Sequence, residues 1–118
     1  MTTNLYFYKA KVTSVYDGDT ITADIDLGLG VFVTGEKLRL YRINAPEIRG
    51  DERDTGLLSR DFLRSKIDGK DVIIQTIKDK KGKYGRYLAE VFLVDVNDNL
   101  VNINDTLVDN GHAVYQDY

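Results

Sequence analysis

The stretch Arg39-Leu40-Tyr41-Arg42-Ile43-Asn44-Ala45-Pro46-Glu47 joins a run of strand-forming residues to an abrupt stop. Pro46 has no N–H to give a sheet and pushes Ala45 toward an extended backbone. The stretch thus sets an arginine on rigid scaffold and a carboxylate just past the strand end. Asn44 and the Ala45 carbonyl lie between them as neutral oxygens. A fixed cation beside such oxygens suits the chemistry of phosphate esters: the cation offsets developing charge, and the oxygens hold a hard metal or orient water. Taken alone, the segment is equally a strand end flanked by solvated charges. Two further stretches bear on the choice. Asp17-Gly18-Asp19-Thr20 places two carboxylates about a glycine, able to ligate a metal at a turn, although Asp-Gly turns are common in plain hairpins. Lys83-Tyr84-Gly85-Arg86 combines a lysine, an aromatic and an arginine that could grip a phosphate and a base, or simply form a solvated loop.

These stretches need elements to position them. Leu5 to Tyr16 is rich in aromatic and β-branched residues and reads as a long strand. Asp17-Gly18-Asp19 is a hairpin signal, and Thr20 to Leu27 alternates apolar with polar residues as a half-buried strand does. Gly28 and Gly30 allow a bend near Val31-Phe32-Val33, Thr34-Gly35-Glu36 reads as a turn, and a third strand is expected over Lys37 to Ile43. Arg49 to Asp54 could reach a substrate but reads first as a solvated surface loop. A helix follows from about Thr55 to Ile67, capped by Asp54 or Thr55, with Leu58, Phe62, Leu63 and Ile67 toward the core. Asp71 to Ile77 and Tyr87 to Val94 are the fourth and fifth strands. Ile103 to Asn110 is a second helix, capped by Asn102 or Asn104 and stopped by Gly111. Five strands with a helix between the third and fourth suggest a mainly β (α+β) fold, a small antiparallel barrel of the oligonucleotide/oligosaccharide-binding (OB) type.

A length of 118 residues fits one domain, residues 1–118. Without cysteine there are no disulfides and no thiolate metal sites. The formal net charge is −3, so attraction of a polyanion must come from local clusters such as Lys78, Lys80, Lys81, Lys83 and Arg86. No apolar run is long enough for a transmembrane helix, and Met1-Thr2-Thr3-Asn4 lacks the features of a signal peptide. A cytoplasmic monomer with no membrane partner is expected, unless a leader has been removed.

The order Asp-Gly-Asp-Thr, Arg-Leu-x-x-Ile-x-x-Pro-Glu, Lys-Tyr-Gly-Arg-x-Leu-Ala in one β-rich domain resembles the staphylococcal-nuclease-like (thermonuclease) family, from about Val12 to about Gly111. The resemblance implies a five-stranded OB barrel with two packed helices. It also implies calcium-dependent hydrolysis of phosphodiester bonds in DNA and RNA, on single-stranded or frayed substrate, leaving 3′-phosphates. Carried over, Asp19 matches a calcium ligand, Asn44 falls where well-known members carry a second aspartate ligand, and Ala45 falls where a backbone carbonyl completes the set. Glu47 matches the glutamate that holds or activates water, and Arg39 and Arg86 match the arginines that grip the reacting phosphate. Lys83 and Tyr84 match residues at the nucleotide's phosphate end, and Tyr115 or Tyr118 a tyrosine under the base. Asp17 and Thr20 sit where the family has supporting residues.

Three departures stand out: the neutral Asn44, the negative net charge, and a chain that stops soon after the second helix, where well-known members continue into a third. A rival reading is therefore a catalytically weak or inactive module of the same fold that binds nucleic acid or a protein peptide. His112 reads as structural, and Tyr6, Tyr8, Tyr16 and Tyr41 read as packing residues. Arg42, by strand parity with Arg39, reads as facing away from the site.

Overall fold

The long first strand, β1 (Phe7–Asp17), is the hub of the sheet, pairing antiparallel with β2 (Thr20–Gly28) on one side and β5 (Asp71–Lys81) on the other. The computed structural model describes residues 5–81 and 85–116. Ala10, Val12 and Val15 of β1 all point inward although their spacing changes from two to three. A register shift between Val12 and Ser14 absorbs the extra residue. In β2, Ile21, Ala23 and Ile25 are buried in strict alternation, as the sequence pattern requires.

β3 runs unbroken over Val31–Leu40, so Thr34-Gly35-Glu36 is no turn. Two residues of β3, Thr34 and Gly35, oppose the single Asp24 of β2, which makes this a bulge. Gly35 takes φ +67, and its N–H donates to Asp24 Oδ1 at 2.9 Å. Turns and bulges call for the same glycine, and here the pairing partner decides between them. The C-terminal end of β3 pairs in parallel with β6 (Tyr87–Val94), and β6 pairs with β5. The sheet β3-β2-β1-β5-β6 thereby closes into a five-stranded barrel of the expected type. β7 (Leu100–Asn102) extends β6 at the edge.

β3 stops at Leu40 rather than Ile43. Arg42 adopts a left-handed backbone, φ +70, and the chain restarts as a short β4 (Ile43–Asn44). β4 pairs with β8 (Val114–Tyr115), a strand that the tail's composition did not announce. The strain at Arg42 is held by long-range partners. Its guanidinium forks onto the Glu90 carboxylate and also reaches Asp105 at 3.0 Å, while Asn102 donates to Glu90. Burial of Glu90 adds to the strength of that pair.

Two helices pack on the barrel. α1 (Arg53–Ile67) follows a 3-10 turn at Gly50–Glu52, so its start has no side-chain cap from Asp54 or Thr55. Its buried stripe is Gly56, Ser59, Leu63 and Ile67, whereas Leu58 is 63% exposed. α2 (Ile103–Asp109) is capped by Asn102, whose side chain accepts from the Asp105 N–H. Asn104 is fully buried instead of capping. It accepts from the Val91 N–H and donates to the Tyr41 and Ala89 carbonyls, fastening α2 to β6 and to the end of β3. The core runs from Val12, Ile21, Leu38 and Leu40 through Ile43, Leu63, Ile74 and Val91 to Ile103 and Leu107. No helix among the described residues is long and apolar enough to cross a membrane.

Candidate active site

One end of the β1–β2 hairpin, the end of β3 and the loop after β4 meet in a cleft of about 300 Å³. The hairpin turn is set by Asp17, whose Oδ1 accepts from the Asp19 N–H at 3.1 Å. Thr20 lies directly opposite Arg39 in the β2–β3 ladder, and the Leu40 N–H donates to the Asp19 carbonyl at 2.8 Å. Backbone pairing thus sets Asp19, Thr20 and Arg39 side by side.

Arg39 is 9% exposed and knits the turn that follows it. Its Nη1 donates to the carbonyls of Leu40 (2.8 Å) and Ile43 (3.0 Å), and its Nη2 reaches Asn44 Oδ1 and Asp19 Oδ2, each at 3.3 Å. Asp19 Oδ2 also accepts from the Ala45 N–H at 2.8 Å, and its Oδ1 from the Thr20 hydroxyl at 3.3 Å. Arg86, half-buried, donates from Nη1 to the same Thr20 hydroxyl at 3.0 Å. Burial first, then the neighbouring Asp17 charge, push the Asp19 carboxyl up to about 6, against the pull of Arg39 and the Ala45 N–H.

Glu47 is exposed on the loop beyond Pro46, and its backbone is gripped from behind. A Cβ at Gly56 of α1 would stand 2.0 Å from the Glu47 carbonyl oxygen. A Cβ at Gly18 would stand 2.7 Å from Ala45 Cβ and 2.8 Å from Ser59 Cβ. Two bare backbones therefore let the hairpin, the site loop and α1 close on one another. Ser59 Oγ, buried at this junction, donates to the His112 carbonyl at 2.7 Å. His112 stacks on Phe62 with ring centroids 4.4 Å apart.

The cleft brings together Asp19, Asn44, Ala45, Arg39, Glu47 and Arg86. Tyr115 does not line it. Its hydroxyl donates to Asp105 Oδ1 at 3.0 Å, and Arg42 lies over its ring at 5.8 Å. Lys83 and Tyr84, expected at the nucleotide's phosphate end, and Tyr118, the alternative to Tyr115, lie outside the described residues. Arg42 does point away from the cleft, through its left-handed turn rather than through strand parity. Sequence reasoning gave Arg49 to Asp54 a reach toward substrate only as the lesser alternative and passed over Tyr16, which lines the cleft with Arg49, and Gly56. Tyr16 was expected to pack but is 48% exposed. Gly56 had a readable signal: a glycine inside a helical pattern costs about 1 kcal/mol against alanine and usually marks close packing.

The lining holds Arg39, Arg49 and Arg86 against Asp17, Asp19 and Glu47. Such a balance attracts a phosphate less than three arginines alone would. The Asp17–Asp19 pair, with one carboxyl held up by burial and by its neighbour, is a place a hard cation would relieve. Asn44 Oδ1 and the Ala45 carbonyl add neutral oxygens, so the donor chemistry fits calcium. It is a lightly charged set: among the described residues no group of three or more His, Cys, Asp or Glu is placed to share a metal.

The chain is 31% identical over 127 aligned residues to an uncharacterized protein of Methanocaldococcus jannaschii, covering 90% of this chain and 58% of that relative's length. The family described as staphylococcal nuclease homologue matches residues 37–118, from the end of β3 through the site loop, Arg86 and both helices. That match takes in well over half of the sequence, and the chain belongs to the staphylococcal nuclease homologue family.

Proposed function

We propose that the cleft hydrolyses phosphodiester bonds in DNA and RNA, acting on single-stranded or frayed strands with the help of calcium. The observation that carries this reading is the meeting of Asp19, Arg39, Glu47 and Arg86 in one cleft from separate parts of the chain. Arg39 and Arg86 bind the reacting phosphate and offset the charge that builds as it becomes five-coordinate; a planar fork can donate two bonds to it where an ammonium cannot. Glu47, exposed and next to the buried wall, orients a water for attack and accepts its proton. The water oxygen forms its bond to phosphorus as the bond to the 5′-oxygen breaks, and the leaving 5′-oxygen takes a proton from solvent, giving a 3′-phosphate and a 5′-hydroxyl. Asp19, Asn44 and the Ala45 carbonyl would hold calcium, which supplies charge compensation at a non-bridging phosphate oxygen.

A second reading, a nucleic-acid- or peptide-binding module without turnover, draws on two features. Asn44 brings no charge to the metal, and the Arg39 fork is engaged by Asp19, Asn44 and two backbone carbonyls. Incubation of the purified protein with single-stranded DNA and RNA, with calcium and with chelator, separates the two. Calcium-dependent cleavage into 3′-phosphate ends is expected. Binding with no cleavage establishes the module instead, and undiminished cleavage in chelator removes calcium from the mechanism.

A further inference from the structure

Arg49 differs from the other arginines of the cleft. Arg39 is ion-paired to Asp19 and Arg86 is bonded to Thr20. Arg49 is exposed, makes no ion pair among the described residues, and donates from Nη2 to the hydroxyl of Tyr16. A phenol is a neutral partner: it orients the guanidinium without cancelling its charge. Tyr16 stands near the end of β1, beside Asp17 of the hairpin turn, with 48% of its surface open. Both side chains line the same cleft as Arg39 and Glu47. An arginine outside any close ion pair, with Glu47 and Asp17 attracting it only at longer range, next to an exposed ring, is the pairing that single-stranded nucleic acid meets on binding proteins: a cation for the backbone and a face for the base. The reacting phosphate needs neither.

We propose that Tyr16 and Arg49 form a second subsite of the cleft, which takes the nucleotide adjoining the scissile bond in a single-stranded polynucleotide, Arg49 holding its phosphate and Tyr16 stacking on its base. The subsite rests on the nucleic-acid reading of the cleft and adds to it a preference for polymer over small diesters. Substrates with a further nucleotide on that side gain contacts that a nucleoside p-nitrophenyl phosphodiester cannot make.

The test uses Arg49→Ala, Tyr16→Ala and Tyr16→Phe in the full chain, with folding checked by circular dichroism. Steady-state kinetics are measured on a short single-stranded oligonucleotide and on the nucleoside p-nitrophenyl diester. In Arg49→Ala and Tyr16→Ala, the ratio of kcat/KM for oligonucleotide to that for the small diester falls about 10-fold, mostly through KM. Tyr16→Phe keeps the ring and loses less. The salt slope of oligonucleotide affinity falls by about 0.7 in Arg49→Ala, the loss of one single-strand phosphate contact. An unchanged substrate ratio together with an unchanged salt slope overturns the subsite. If the parent protein cleaves neither substrate, the catalytic reading fails separately, and fluorescence anisotropy with the same oligonucleotide still decides. Weaker binding and a shallower slope in Arg49→Ala support the subsite, and identical curves end it.

Discussion

The two walls of the cleft are built differently. One wall, Asp19, Thr20 and Arg39, sits on the β1–β2 turn and the strands beside it and is buried; all three side chains already bond to the fold. The other wall, Glu47 and Arg49, is exposed and stands on loop backbone held from behind by Gly56 and by Glu52 and Arg53 at the start of α1. The buried wall is pre-organised, and its side chains serve structure and ligand at once. The exposed wall keeps side-chain freedom and relies on a close backbone contact for its position. Damage to the first should therefore show in stability and chemistry together, and damage to the second in chemistry or binding first.

The arginines give the sharpest contrast. Arg39→Lys and Arg86→Lys should each lower kcat of the proposed hydrolysis by roughly 10²–10³-fold, since each removes donors from the developing charge. Only Arg39→Lys should also lose much stability, about 1.5–3 kcal/mol, because it abandons two buried carbonyls and the Asp19 pair. Urea unfolding of both variants checks this. Equal stability losses would erase the difference between the walls.

Gly56→Ala comes next. The new methyl would collide with backbone, at 2.0 Å from the Glu47 oxygen, so the loop or the helix must shift. We expect a net loss of roughly 1–3 kcal/mol from overpacking, against a helix-propensity gain of about 1 kcal/mol. Turnover should fall more than oligonucleotide affinity. A variant more stable than the parent would show that the loop is not gripped there.

The third effect is in pH. Asp19 titrates near 6 in the fold and near 3.8 as a free side chain, so the folded state takes up its proton more readily than the unfolded chain does. The stability this lends is fully present below the free value and is lost as pH rises through about 6. In chelator, unfolding free energy measured from pH 4 to 7 should fall more in the parent than in Asp19→Asn. Parallel curves would mean that the buried wall tolerates the charge without strain.

The smallest effect is expected at Asn44, on the border between the walls. Asn44→Asp adds a carboxylate to the neutral oxygens, and calcium affinity follows ligand charge. The variant should reach half-maximal activity at lower calcium, with tighter binding by calorimetry. It should also be less stable without metal, as a third carboxylate joins Asp19 and Glu47. No gain in affinity would move the metal away from Asn44.

How far the sequence could be read follows the same division. The hairpin at Asp17-Gly18, the alternation of β2 and the stop at Pro46 are local signals, and they brought Asp19, Arg39 and Glu47 to the right neighbourhood. Features decided by distant partners were not legible. Gly35 carries the same local signal for a turn and for a bulge, and Asp24 settles it. Arg42 turns left-handed because Glu90 and Asp105 receive it, and nothing near Arg42 announces them. Leu58 lost its place in the core because α1 needs its smallest residues, Gly56 and Ser59, against the site loop. Tyr16 looked like any strand aromatic until Arg49 was placed beside it.

The fastening of α2 and β8 also sets an order of events during synthesis. The carbonyl of Tyr41 is held by Asn104, that of Arg42 by the Gln116 N–H, and β4 has β8 as its strand partner. All of these partners lie more than sixty positions downstream of the loop they hold. A ribosome will have released the hairpin, β3 and α1 well before it releases Asn104 or Val114. The nascent chain then carries Glu47 and Arg49 with α1 beside them, while the turn before them still lacks its downstream partners. The turn that carries Asn44 therefore gains its long-range fastenings only after the hairpin and α1 are already in place.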